Sequence, residues 1–155
     1  AVLDLFSRFV VGWAVSAVND RHVTIKALEM ALKRRCPAAG LLHHSDQGSQ
    51  YTSEQFQRLM ADHGITCSMS RSGNVWDNAA MESFWKTLKP QRVYLQKTYE
   101  TRQIAKADIV AYMEMFYNPE RLHSALGYRS PHQFEQQHYE TLLKQKRSAK
   151  SSTKS

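Results

Sequence analysis

Along this chain the apolar residues fall into short blocks that switch between strand-like and helix-like spacing. Ala1 to Leu5 and Phe9 to Val18 are dense in Val, Leu, Phe and Trp, and Ser7-Arg8 divides them. That pattern predicts two strands joined by a hairpin turn. Asn19-Asp20 offers a cap for a helix from about His22 to Arg35, with Val23, Ala27, Met30 and Ala31 on one face and Pro37 as its stop. After Gly40, the run from Leu41 to His44 predicts a short buried strand that delivers Asp46 to its end. Thr52 or Ser53 caps a second helix whose apolar face is Phe56, Leu59 and Met60, and Gly64 ends it.

Ile65 to Met69 predicts another strand, and Ser70 to Asp77 is a Gly/Ser/Asn loop. Asp77 or Asn78 caps a helix that carries Glu82, and Pro90 ends or kinks it. A further helix runs from about Glu100 to Tyr117, and Ser130-Pro131 opens a last short one. Strands first, then strands mixed with helices, make an α/β layered domain.

Composition adds bounds. A chain of 155 residues with 42% apolar content suits one compact domain with a real core. No run of 18 apolar residues and no signal segment is present, so a cytoplasmic protein without membrane contact is expected. Cys36 and Cys67 form no zinc pattern and read as idle thiols. The net charge is 21 − 14 = +7, of which Lys144, Lys146, Arg147, Lys150 and Lys154 supply five in a Ser/Lys-rich tail expected to be disordered. Charge alone therefore says little about the folded part.

The chemistry concentrates in two acidic segments. Asp46 stands in Leu41-Leu42-His43-His44-Ser45-Asp46-Gln47-Gly48-Ser49-Gln50-Tyr51-Thr52-Ser53, and Glu82 in Asn78-Ala79-Ala80-Met81-Glu82-Ser83-Phe84-Trp85-Lys86-Thr87-Leu88-Lys89. Taken singly, Asp46 suits a turn and Glu82 a surface pair with Lys86. Together, carboxylates from a strand end and a helix can hold Mg²⁺ or Mn²⁺, hard ions that prefer oxygen and support phosphoryl transfer on nucleic acid. Lys86 and Lys89 fall within about 40° and 20° of Glu82 around the helix, a face suited to phosphates. From Ser83 to Lys106 six basic residues, Arg92 among them, accompany the single acid Glu100, which favours a DNA-facing surface. His43 and His44 are adjacent on a strand, point to opposite faces and cannot chelate one ion together.

These segments resemble the catalytic core of bacterial insertion-sequence transposases, in the branch related to retroviral integrases. The likeness runs from Ala1 to about Gln137. It also includes Leu3-Asp4-Leu5-Phe6-Ser7-Arg8 with Val11-Gly12-Trp13, Phe116-Tyr117-Asn118, Arg121-Leu122-His123-Ser124-Ala125-Leu126-Gly127-Tyr128 and Ser130-Pro131. The resemblance implies an RNase H-like fold, a mixed five-stranded sheet flanked by helices, with residues 1–139 as the core and 140–155 as a basic tail. It implies an Asp-Asp-Glu site for two Mg²⁺ or Mn²⁺ ions, with Asp46 as the second acid and Glu82 as the third.

The first acid is expected on a strand before the Leu3–Arg8 segment, so this chain begins at strand two and is not expected to catalyse transposition alone. Asp4 is expected to make an ion pair or hydrogen bond near Arg8 instead. Lys89 matches the basic residue seven places after the family's Glu, and Lys86, Lys89 and Arg92 are the expected DNA contacts. The partners implied are transposon ends, target DNA and further copies of the protein. A remnant that at most binds DNA, and a nuclease of the same fold without transposition, are the alternatives.

Overall fold

The computed structural model describes residues 1–16, 21–69, 79–94 and 99–152. The Asn19-Asp20 cap, the Ser70–Asp77 loop and the Asp77 or Asn78 cap lie outside the described residues.

The first hairpin is shorter than its apolar blocks. β1 (Val2–Leu3) pairs antiparallel with β2 (Val10–Gly12), with an irregularity between Val2 and Leu3. Between them the chain turns tightly: Asp4 N–H donates to Phe9 O at 2.9 Å and Arg8 N–H to Asp4 O at 2.7 Å. Arg8 takes a left-handed φ of 61° at this corner, and Asp4 Oδ1 accepts the Phe6 N–H at 2.9 Å. A hydrogen bond of Asp4 near Arg8 is what the sequence leads one to expect, and its Oδ2 also lies 3.6 Å from Arg35. Arg35 lies on the following helix, where local reading cannot reach.

Helix α1 (Arg21–Arg35) buries Ile25, Ala27, Leu28, Ala31 and Leu32. Val23 and Met30, expected on the inner face, are only half-buried. The face is turned because α1 rests directly on β2. A side chain at Gly12 would come within 2.1 Å of Ala27 O and 2.9 Å of Ala31 Cβ, so only glycine opposite alanine lets strand and helix meet.

β3 (Leu42–Ser45) and β4 (Thr66–Met69) form a parallel ladder in the register Leu42↔Thr66 to Ser45↔Met69. The helix between them, α2 (Glu54–Asp62), is the crossover that a parallel pair requires. It buries Phe56 and Met60, and Gly64 ends it with a positive φ of 61°. Among the described residues the four strands make two separate ladders, one antiparallel and one parallel, in place of one continuous sheet.

Helix α3 (Ala79–Leu88) gives way at Lys89 to a wider π-helical turn through Tyr94, with Pro90 in its first turn. Proline lacks an N–H and crowds the carbonyl four residues back, so the regular ladder stops there without ending the coil. α4 (Arg102–Ala111) is capped by Thr101, whose hydroxyl accepts the Ile104 N–H at 3.2 Å, and it too widens into a π turn, Tyr112–Tyr117. α4 buries no residue among its own ten, whereas the π turn buries Tyr112, Met113 and Tyr117.

The last helix, α5 (Pro131–Ser152), has 22 residues and is not the short element expected. It runs through the segment expected to be disordered. No Gly or Pro follows Pro131 in the helix, and Gln, Glu, Leu, Lys and Arg are all good helix formers. Ser130 Oγ accepts the Gln133 N–H at 3.2 Å while Gln133 Oε1 accepts the Ser130 N–H at 3.1 Å, a reciprocal cap.

Two apolar clusters hold these elements. Val10, Phe84, Leu88, Tyr112, Met113 and Tyr117 join β2, α3 and the second π turn. Ile25, Leu28, Leu32, Phe56, Met60 and Ile65 join α1 to α2 and the start of β4.

Candidate functional site

Asp46 follows the last residue of β3. Ser45 is 5% exposed and fixes the strand end, while the next side chain, Asp46, stands in solvent. Asp46 Oδ1 accepts the Gly48 N–H at 2.8 Å, which folds the chain sharply after the strand. A side chain at Gly48 would come within 2.5 Å of Gln50 Nε2 and 2.8 Å of Asp46 Oδ1, so it would push on both of those side chains. The charge is felt nearby: burial first, then Asp46, raises the Tyr51 hydroxyl above its ordinary value. Among the described residues Asp46 Oδ2 has no hydrogen-bond partner.

Glu82 lies in the first turn of α3. Phe84 and Leu88, 1% and 3% exposed, anchor the opposite side of that helix. At 100° per residue they lie roughly 200° and 240° from Glu82, so their burial turns Glu82, Lys86 and Lys89 outward. Lys86 Nζ is 3.7 Å from Glu82 Oε2, with the two side chains 80% and 42% exposed. An ion pair this open contributes little to stability and leaves both groups available to a ligand. Lys89 is exposed on the same face.

Arg92 behaves differently from the two lysines. Its guanidinium sits 3.7 Å from Asp108 and lies over the Tyr112 ring at 5.2 Å. Asp108 on α4 and Tyr112 at the start of the second π turn supply those partners, and the Arg92 side chain stays 38% exposed.

The histidines pack, as their strand positions predict. His44 Nδ1 is 3.1 Å from Ser68 Oγ on the neighbouring strand, and the His43 ring meets Phe56 edge-on at 5.6 Å. Burial, then the neighbouring His44, lowers the His43 pKa, which keeps this imidazole neutral against its aromatic wall. Among the described residues no three His, Cys, Asp or Glu side chains group as a metal cluster. The donors that are present, two solvent-facing carboxylates, fit a hard divalent ion by chemistry, and the histidines and cysteines do not compete for it.

Several polar contacts that support the site were not legible beforehand. Asn118, 2% exposed, bonds both backbone groups of Val10: its Oδ1 accepts the N–H at 2.8 Å and its Nδ2 donates to the carbonyl at 3.2 Å. Arg121 Nη2 donates to Thr87 Oγ1 at 3.0 Å, tying the C-terminal signature to the helix that bears Glu82. The Tyr117 ring meets Phe84 edge-on at 5.2 Å and His123 at 5.1 Å. Glu114 accepts from Trp13 Nε1 at 2.7 Å and from Arg34 at 2.6 Å. A short amide after two aromatics, as in Phe116-Tyr117-Asn118, was the one available hint; partners about a hundred positions away leave no local signal.

The architecture defines a class. The catalytic core domain of BIV integrase, a crystal structure, matches with a TM-score of 0.57 over 83% of this chain and 80% of that one, at 20% identity. That likeness shows the fold, an RNase H-like α/β domain of the retroviral integrase kind. The integrase core domain family matches residues 1–75, and a second family under the same description matches residues 63–131. This chain belongs to the integrase core family, alongside the insertion-sequence proteins.

Among its relatives, a transposase for insertion sequence element IS904 of Lactococcus lactis is 44% identical over 86% of this chain and 52% of its own length. The IS600 31 kDa protein of Shigella sonnei is 40% identical over 90% and 51%, respectively. Transposase InsF for insertion sequence IS3A of Escherichia coli is 39% identical over 86% and 46%. The chain thus spans about half the length of these curated relatives.

Proposed function

We propose that this chain is the catalytic core of a DNA transposase, in which Asp46 and Glu82 are two of the carboxylates that bind divalent metal. The observation that carries the reading is positional. The integrase-core match embraces both acids, and each acid is held outward on a rigid support, a strand end and an anchored helix. Relatives at 44% and 39% identity are transposases of insertion sequences. Mg²⁺ or Mn²⁺, when bound by such carboxylates, would neutralise phosphate charge and favour water or a DNA 3′-hydroxyl as nucleophile.

The protein's own residues supply the rest. The Gly48 N–H holds one oxygen of Asp46, so the carboxylate is oriented before any ligand arrives. Phe84 and Leu88 fix the rotation of α3, so Glu82, Lys86 and Lys89 face outward together. Exchange of Lys86 from Glu82 to a DNA phosphate would free the carboxylate for an ion and add a phosphate contact in one movement. Lys89 would grip a neighbouring phosphate. Arg92, already engaged by Asp108 and Tyr112, would act chiefly by holding the π turn in place.

The partners in this reading are transposon ends, target DNA and further copies of the protein, acting in the bacterial cytoplasm. Among the described residues no helix is long and apolar enough to cross a membrane.

The test is substitution in the protein that carries this core. Asp46→Asn and Glu82→Gln should each abolish Mg²⁺-dependent end cleavage and strand transfer while leaving the thermal midpoint near that of the parent. Full activity in either variant would refute the assignment. Cleavage without joined target products in the parent would favour a nuclease.

A further inference from the structure

The second half of α5 lies outside both apolar clusters and carries neither acid of the carboxylate site. The first turns of the helix are well anchored. Phe6 meets the Phe134 ring at 5.1 Å and the His138 ring at 4.8 Å, and Glu135 takes a 2.6 Å hydrogen bond from Ser7 together with an ion pair from Arg35. Beyond His138 every residue through Lys150 is exposed. At 1.5 Å per residue, about 17 Å of helix extends past its last anchor.

The charge on this extension is one-sided. Glu140 is its last acid, and Lys144, Lys146, Arg147 and Lys150 follow in the described helix. Lys146, Arg147 and Lys150 lie within an arc of about 100°, and Lys146 and Lys150 are one turn apart. Cations at a helix C-terminus favour the dipole, but that effect is confined to the last turn and explains only Lys150. Like charges four residues apart repel by a few tenths of a kcal/mol, and a helix without tertiary cover is marginal. An unneutralised basic stripe is therefore a cost to this helix.

The stripe also selects its occupant. Tyr139, Leu142 and Leu143 share that side of the helix and are exposed. They could begin a seam with a second copy, but the next positions on the seam are Lys146 and Lys150. A stable helical seam needs apolar residues over three or more heptads. What fits the stripe is a polyanion with regularly spaced charge. Lys146 and Lys150 are about 6 Å apart along the axis, within reach of successive phosphates, which rise about 3.4 Å per nucleotide on one strand.

We propose that residues 139–150 of α5 form a nucleic-acid-binding arm, in which Lys146, Arg147 and Lys150 grip the phosphates of duplex DNA. The proposal rests on the DNA-processing reading above for the identity of the polyanion, and it adds a contact surface outside the carboxylate site.

The experiment is a fluorescence-anisotropy titration of the full chain with a labelled duplex of about 20 base pairs, in EDTA, from 50 to 200 mM NaCl. The wild type is compared with the triple variant K146A/R147A/K150A. Alanine keeps helix propensity, and circular dichroism verifies that α5 persists. The expected result is affinity weaker by tenfold or more at 50 mM NaCl. The slope of log K against log salt should also become shallower by about 2 to 3, near 0.9 for each phosphate contact removed. K33A, on the exposed last turn of α1, should match the wild type.

Equal affinity and slope in the triple variant would overturn the proposal, as would absence of DNA binding by the wild type. Loss of binding to phosphatidylserine vesicles, or of self-association, with DNA binding unchanged would overturn it in favour of a membrane or protein contact. EDTA removes metal chemistry, so an incorrect catalytic assignment would leave this result standing, and a silent arm would leave cleavage standing.

Discussion

Replacing Asn118 with alanine should destabilise the domain more than any single substitution on its surface. The side chain is 2% exposed and serves Val10, itself 0% exposed, at both its N–H and its carbonyl. It does for the outer edge of β2 what a neighbouring strand would do. Asn118→Ala strands two backbone groups where water does not reach, and each such loss costs roughly 1–3 kcal/mol. The sum is about 2–6 kcal/mol, with about 3 as a working value. For a chain of this size that lowers the thermal midpoint by roughly 6–12 °C. In urea the midpoint should fall by about 1–2 M with an unchanged m-value. Asn118→Asp keeps an acceptor for the Val10 N–H but strands the carbonyl and buries a charge, so it should be no milder at neutral pH. Unfolding of Asn118→Ala at the wild-type midpoint would show that Val10 finds other partners, and the account of this strand edge would fail.

Lys89→Ala should leave stability within about 0.5 kcal/mol of wild type, weaken DNA binding, and make its salt slope shallower by about 0.9; an unchanged slope would return Lys89 to an ordinary solvated role. His123 is held down to about 4 from an ordinary 6.5, by burial first and then by Arg121 and Arg8, so the unfolded chain binds a proton that the folded one refuses between those values. Stability from this residue is full above about pH 6.5 and is lost as pH falls toward 4. The loss should be shallower in His123→Gln, as read from urea midpoints across that range, and parallel profiles would contradict the assignment.

The order of elements was legible because each has a local cause. Gly64 stops α2, Thr101 and Ser130 cap their helices, and Ser7-Arg8 turns the hairpin. Asp46 at a strand end and Glu82 on a helix were read from their flanking blocks, and both elements are present. Tertiary contact decided what could not be read. α1 presents Ala27 and Ala31 to Gly12, which rotates its buried face away from the Val23–Met30 stripe. Asp4 also reaches Arg35, and Arg92 meets Asp108 and Tyr112, partners that arrive from other parts of the chain. The length of α5 was missed for a different reason: a Lys- and Ser-rich composition suggests disorder, yet its residues favour helix and nothing in it breaks one.

The central claim is that Asp46 and Glu82 share one metal site although 82 − 46 = 36 positions separate them. Anomalous diffraction from a crystal of the protein grown with Mn²⁺ tests it most directly. The account predicts a peak whose ligands include a carboxylate oxygen from Asp46 and one from Glu82, each about 2.0–2.5 Å from the ion, with the signal lost in Asp46→Asn. Manganese bound elsewhere, with the two carboxylates on opposite faces of the domain, would contradict it.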